Sequence, residues 1–285
     1  MAYLNFQSRY DREPEIPIPG FEDQAWEGYS AIVQQLKTEL AKYANPVLTI
    51  ECYPGVRYEE IKKGLIDPLQ PQLVIFADEL ALPNEEVNKR IARLMTDDRV
   101  FGVMSRFLDL EEFYIPEYVA SAQKQIANQE GLTVIYGFGA SLVTKGDILV
   151  YSDLARWEIQ LRYRSREIAN WKADNYDEDP LKKYKRGFFF EWRIADKVKR
   201  DLLNKKQIDY LLDTNLKDQP KMITGEALYK GLETVVHRPF RLVPYFDPGV
   251  WGGQWMKEVC NLPKEAPNYA WSFDGVPEEN SLYLR

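Results

Sequence analysis

The chain has one histidine, His237, and two cysteines, Cys52 and Cys260, far apart in the sequence. A catalytic zinc site normally takes several imidazoles or thiolates, so no self-contained metal site is expected. Two widely spaced cysteines make no disulfide framework either. Long apolar runs are missing: stretches such as 73–77 and 188–190 fall far short of the roughly 20 residues that a bilayer crossing needs. The first residues, MAYLNFQSRYDREPEIPIPG, lack a basic segment followed by an apolar one, as a secretory leader would have. These absences predict a cytoplasmic protein with no membrane partner. Positive charge is not in excess: 37 Lys and Arg against 44 Asp and Glu give a net charge of -7. That balance argues against a nucleic-acid partner.

What remains is enough for a sizeable core, with 285 residues of which 45% are hydrophobic and 13% aromatic. Pro14, Pro17, Pro19 and Gly20 mark residues 1–20 as an extended arm. Over 24–43, Trp26, Ile32, Val33, Leu36 and Leu40 recur at helical spacing until Asn45-Pro46. The β-branched run 47–53 closes at Pro54-Gly55 and precedes a helix over 58–66. The pattern repeats: strand 72–77, helix 84–95 capped by Asn84, short strand 100–104, helix 116–129, strand 132–136, strand 147–151 and helix 154–168. Residues 208–213 read as a final strand and 225–236 as a final helix. Such alternation predicts an α/β fold with a mostly parallel sheet flanked by helices over 21–238. From residue 239, prolines 239, 244, 248, 263, 267 and 277 punctuate short aromatic runs, as at the start of a separate β-rich domain. The alternating segment 281–285 reads as a strand with no partner downstream. The domain over 239–285 is therefore expected to be incomplete, and the chain truncated.

Three segments are candidates for chemistry. After the first buried strand, Cys52-Tyr-Pro-Gly-Val-Arg57 has one Gly and no Lys-Ser/Thr pair, so no Walker A cradle for ATP is expected. Tyr136-Gly-Phe-Gly-Ala-Ser141 contains G-x-G but has Val143 where a third Gly would fall. A turn and then a strand are expected there instead of a dinucleotide-binding helix, which makes the segment a tight turn. Between Ala155 and Lys206 stand fifteen Lys and Arg against nine Asp and Glu. Arg156, Arg162, Arg164 and Arg166 lie on or just after one predicted helix, Lys182, Lys183, Lys185 and Arg186 in the loop beyond it, and Arg193, Lys197 and Arg200 on the next helix. Guanidinium forks at Arg156, Arg162, Arg164, Arg186 and Arg193 are candidate phosphate ligands closing as a lid over a phosphorylated sugar or nucleotide. The alternative is a solvated helical face paired to Glu158, Glu167 and Asp196. Asp147, Asp153 and Asp213 fall at strand ends, where carboxylates either catalyse or cap. No residue is assigned a catalytic role.

Phe240-Arg-Leu-Val-Pro-Tyr-Phe-Asp-Pro-Gly-Val-Trp-Gly-Gly-Gln-Trp-Met-Lys-Glu-Val-Cys260, with Tyr269-Ala-Trp and Val276-Pro-Glu-Glu-Asn-Ser-Leu282, resembles the opening of a class I mannose-6-phosphate isomerase. The resemblance is to a long bacterial branch of that family, with segments 136–140, 147–160 and 185–193 matching its N-terminal extension. Trp251-Gly252-Gly253 is the element that the family carries at the start of its catalytic cupin. The resemblance implies interconversion of mannose 6-phosphate and fructose 6-phosphate, with a zinc held by Gln, Glu and two His on later cupin strands. None of those ligands maps onto this sequence, so the chain by itself is expected to hold no cofactor and to be inactive as an isomerase. The N-terminal part resembles a uridine-kinase-type nucleoside kinase in its order of elements, departing at the phosphate loop. That implies a domain binding a nucleotide or phosphosugar, a regulatory module, or a nucleoside-kinase-like phosphotransferase.

Overall fold

The structure, a computed structural model, describes residues 15–98, 101–237, 242–244, 258–261, 273–275 and 283–284. Its centre is the β-branched run that forms β2 (Val47–Cys52), buried from Leu48 onward. Leu48 and Ile50 are wholly inaccessible, each worth about 1.5–3 kcal/mol of transfer free energy. A strand buried on both faces belongs in the middle of a parallel sheet. Accordingly β2 pairs in parallel with β4 (Thr133–Gly137) on one side and β5 (Ile148–Asp153) on the other. Beyond β4 lies β3 (Leu73–Phe76), and beyond β5 lies β6 (Tyr210–Asp213), both parallel to their neighbours. Two antiparallel strands, β7 (Lys221–Thr224) and β1 (Ala25–Glu27), complete the sheet in the order β1-β7-β6-β5-β2-β4-β3. This is the α/β fold with a mostly parallel, helix-flanked sheet that the sequence predicts. Helix Tyr29–Leu40 buries Ile32, Val33, Leu36 and Leu40 at helical spacing. Helix Pro116–Asn128 adds Ala122 to a cluster with Ile75, Ala77, Ile135, Ala140 and Val143.

After β2 the chain crosses to β3 at one edge, whereas after β5 it proceeds to β6 on the opposite side. The connections therefore diverge between β2 and β5. Outside the carboxyl ends of two such strands, open α/β sheets have a crevice. Cys52 and Ser152 are paired at that edge.

Several local expectations are corrected. The first helix begins at Tyr29 because Ala25–Glu27 is drawn into the sheet by β7 and Gly28 breaks the chain at φ +80°. β6 is followed by β7, so 208–213 does not hold the last strand of this sheet. The strand expected over 100–104 is absent over 101–104, because Val103 N donates to Leu94 O and Ser105 N to Phe189 O instead of joining a ladder. Asn84 is the first helical residue after Pro83 rather than a cap, and its side chain donates to Asp174. The G-x-G turn leads into the short helix Ala140–Val143. The basic run 182–186, expected as loop, is helix Pro180–Arg186, started by Asp179 accepting from Leu181 N with Pro180 in the first turn. At the C-terminus Tyr283 and Leu284 form no strand, and Leu284 N donates to Asp213 Oδ2.

Two compact units divide the chain. Ile18–Lys230 with Leu282–Arg285 contains the seven-stranded sheet. Met1–Pro17 with Gly231–Ser281 contains the antiparallel pair β8 (Leu242–Pro244) and β9 (Phe273–Gly275). The Trp251-Gly252-Gly253 element and most of the arm over 1–20 lie outside the described residues. Among the described residues no helix is long and apolar enough to cross a membrane.

Candidate functional site

The turn after β2, at the carboxyl end of the central strand, is packed shut. Tyr53, Pro54 and Val56 are buried, and Tyr53 N donates to Ser152 O on β5. Gly55, at φ +107°, turns its carbonyl to Arg162 Nη1 at 2.8 Å, and a Cβ there would press on Ile159. Arg57, the one cation of the turn, bonds to Glu167 and lies 3.7 Å from Glu158 and 4.0 Å from Glu60. An incoming anion meets three carboxylates already around that guanidinium, and a phosphate cradle requires the opposite polarity.

The G-x-G turn is closed in a different way. Phe138 N donates to Asp78 Oδ1 at 3.1 Å, and Gly139 N and Ser141 N donate to the two oxygens of Glu51 at 2.7 Å. These are the N–H groups that a pyrophosphate takes in a dinucleotide fold. Here two buried carboxylates of the protein itself take them. Burial pushes the Glu51 carboxyl up to about 7 against the pull of its two N–H donors. It pushes Asp78 to about 7 in the same way, with Phe138 N opposing. Gly139 adopts φ +90°, and a Cβ there would run into the Tyr114 hydroxyl, which is bonded to Phe138 O.

At the end of β5 the structure brings charged groups together. Asp153 Oδ2 accepts from Lys199 Nζ at 2.5 Å, with both side chains under 10% exposed. The ammonium lies 5.8 Å from the ring centroids of Tyr53 and Tyr151. Burial raises the Asp153 carboxyl although Lys199 opposes it. Above this pair sits Asp196, which accepts from Tyr53 Oη at 3.0 Å and Arg156 Nη2 at 2.5 Å, with Arg193 Nη2 3.5 Å away. Arg156 stacks over Trp192 and Arg193 over Phe188. Arg193, Asp196 and Lys199 share one stripe of helix Trp192–Asn204 at three-residue spacing. A π-helical turn, Gly187–Glu191, joins that helix to Pro180–Arg186, and such turns often mark functional sites. Asp153 Oδ1, Arg156 Nε and Arg193 Nε are buried without hydrogen-bond partners.

The other candidates sit elsewhere. Arg162, 1% exposed, donates to the carbonyls of Gly55, Thr214 and Asn215 and to Glu158. It ties the turn after β2 to the end of β6. Arg164 is exposed and stacks over Trp157. Arg186 is buried against Glu191, Asn88 and the carbonyl of Trp171. Lys183 Nζ binds the carbonyls of Ile168 and Tyr176. Of the five arginines, Arg156 and Arg193 share one carboxylate, and they lie at the crevice between β2 and β5. Asp213 accepts from Asn215 N and Nδ2, and Asp147 accepts from Val47 N, both as caps.

The sequence did not single out Tyr53, Lys199, Glu51, Asp78 or Glu191. Glu51 carried a usable signal, an acidic residue inside an apolar strand run. Lys199 carried none, and Asp153, legible as a strand-end carboxylate, gave no sign of this partner 46 positions away in the chain. Among the described residues no three His, Cys, Asp or Glu side chains are grouped to hold a metal ion. His237 is exposed at the end of the last helix, Cys52 is buried and Cys260 exposed. This donor set does not fit the zinc that the isomerase resemblance implies.

The family model described as Domain of unknown function (DUF8485) matches residues 28–237. The chain belongs to the DUF8485 family. That match takes in β2–β7 and every residue of the Asp153–Asp196 cluster. No curated protein matches the chain. Among solved structures, one from Silicibacter sp. TM1040, provisionally described as a fructose transport system kinase, is similar at 13% identity and a TM-score of 0.41. The similarity covers 59% of the DUF8485 chain and 94% of the other.

Proposed function

We propose that the α/β unit is a binding or regulatory module for a phosphorylated sugar or nucleotide, without phosphoryl-transfer activity, in a protein of class I mannose-6-phosphate isomerase type. The observation that carries it is a contrast between two ends of neighbouring strands. The turn after β2 is filled by Tyr53 and Val56, and its one guanidinium, Arg57, with Nη1 unpartnered, stands among three carboxylates, whereas at the end of β5 Arg156 and Arg193, also with unpartnered N–H groups, share the single carboxylate of Asp196. A triphosphate has no cradle at the first, and an anion has donors at the second. The isomerase part of the proposal is supported by the resemblance over 240–282.

The expected result with this chain is no ATP turnover over a panel of nucleosides and sugars, together with a rise in melting temperature of a few degrees with millimolar phosphosugar or nucleotide. ATP-dependent phosphorylation of any panel member would overturn the first half. An unchanged melting temperature with every phosphorylated compound would overturn the second. In a coupled assay the chain alone should not convert mannose 6-phosphate to fructose 6-phosphate, and zinc-dependent turnover would overturn that expectation.

A further inference from the structure

The Arg156–Asp196–Arg193 arrangement is unbalanced. Two guanidinium groups, each a fork of five N–H donors, face one carboxylate. Asp196 takes Arg156 through one nitrogen only, stands 3.5 Å from Arg193, and gives its other oxygen to Tyr53. Arg156 Nε and Arg193 Nε are left buried without acceptors. Buried guanidinium N–H groups are costly to leave unpaired. A phosphomonoester brings up to two negative charges and three acceptor oxygens, enough for both forks and the Tyr53 hydroxyl.

One helical turn further along the same stripe is Lys199, paired with Asp153. Asp153 lies at the end of β5 with Oδ1 unpartnered among the described residues and with the side chain more than nine-tenths buried. A carboxylate oxygen in that position accepts a hydroxyl. Asp196 and Lys199, the residue that holds Asp153, are about 4.5 Å apart in helix rise, so phosphate donors and a hydroxyl acceptor lie along one stripe, as a polyhydroxylated phosphate requires.

We infer that Asp196 is an internal stand-in for the phosphate of a sugar phosphate, which on binding displaces the Asp196 carboxylate from Arg156 and Arg193 and places a hydroxyl on Asp153 Oδ1. This inference rests on the module proposed above and narrows its ligand to the phosphosugar class. With the internal carboxylate seated between the two guanidinium groups, the ligand must compete with Asp196 for them.

The test is isothermal titration of the chain with mannose 6-phosphate and, separately, with inorganic phosphate. Asp196→Asn and Asp196→Ser remove the competitor and are expected to bind both at least tenfold more tightly than the wild type. Arg193→Ala, at the partly exposed rim, is expected to bind both at least tenfold more weakly. Asp153→Asn should retain inorganic phosphate but lose most of the preference for the sugar phosphate. Urea midpoints establish that each variant is folded. If the Asp196 variants bind no more tightly than the wild type, displacement is overturned. If neither folds, undiminished affinity in Arg193→Ala overturns the site. Binding by wild type that is unchanged in the Asp196 and Arg193 variants sinks this inference and leaves the module intact with its ligand elsewhere. Binding by no form sinks both.

Discussion

Arg186→Ala is expected to destabilise the folded chain by about 3–5 kcal/mol, the usual loss when one partner of a buried ion pair is removed. Glu191 is wholly buried and accepts from Arg186 Nε at 3.1 Å and Asn170 Nδ2 at 3.1 Å, with Tyr163 Oη at 3.4 Å. Burial already raises the Glu191 carboxyl, and Arg186 is the largest opposing influence. Without the guanidinium the carboxylate must either remain charged in a dry interior or take up a proton. The same substitution strips acceptor Asn88 Oδ1 and the carbonyl of Trp171 of their donor. The double variant Arg186→Ala, Glu191→Gln removes the stranded charge and should recover a large part of the loss. Urea unfolding of the two variants is the measurement. A cost below about 1 kcal/mol for Arg186→Ala, within the range of exposed ion pairs, would show that Glu191 is solvated and the assignment to the core mistaken.

The second large effect is on pH. Burial pushes the Glu51 and Asp78 carboxyls up to about 7 in the folded chain, from about 4.5 and 3.8 for the free side chains. A carboxyl raised on folding binds its proton more tightly in the native state than in the unfolded chain. Its stabilising contribution is therefore complete below about pH 4, declines as pH rises toward 7, and has gone above about pH 8. At about 1.4 kcal/mol per pH unit this amounts to on the order of 3–5 kcal/mol for each carboxyl. The sum is smaller if one proton serves both, because the Glu51 charge itself raises Asp78. Asp153, Glu191, Asp209 and Asp213 are also raised, each chiefly by burial, and act with the same sign. The urea midpoint should thus fall between pH 5 and pH 8, opposite to a protein held by depressed carboxylates. Glu51→Gln, a neutral mimic of the protonated side chain, should remove about half of the fall. A midpoint that is level or rises over that range would contradict the burial of these two groups.

The order of strands and helices was legible because a buried strand run and an amphipathic helix leave different periods in the sequence. Val47–Cys52, Thr133–Gly137 and Ile148–Asp153 announced themselves in this way. Lys221–Thr224 did not, since an antiparallel strand of four residues beside the sheet edge has too few positions to show a period. The helix at Pro180–Arg186 was legible in Asp179-Pro180 but was hidden by its run of cations, which reads as solvated surface. Lys183, Lys185 and Arg186 are instead buried on backbone carbonyls and Glu191. The candidate arginines were legible as a group only through their excess charge. Which of them share a partner was not, because Arg156 meets Asp196 across 40 residues and Arg162 meets Gly55 across 107.

By itself, then, the sequence determined an α/β layer with a parallel core, the lack of a phosphate loop after β2 and of zinc-ligand spacing, and a basic segment after β5. Each follows from local properties: residue period, glycine placement, and the count of charges along the chain. Only the tertiary structure decided that the G-x-G turn is occupied by Glu51 and Asp78, that Arg162 and Arg186 are internal braces, and that Arg156 and Arg193 meet over Asp196. Those outcomes depend on which strand lies beside which and on how helix Trp192–Asn204 turns its stripe toward β5. Strand order and helix rotation are fixed by packing over the whole sheet, and no short run of residues encodes them.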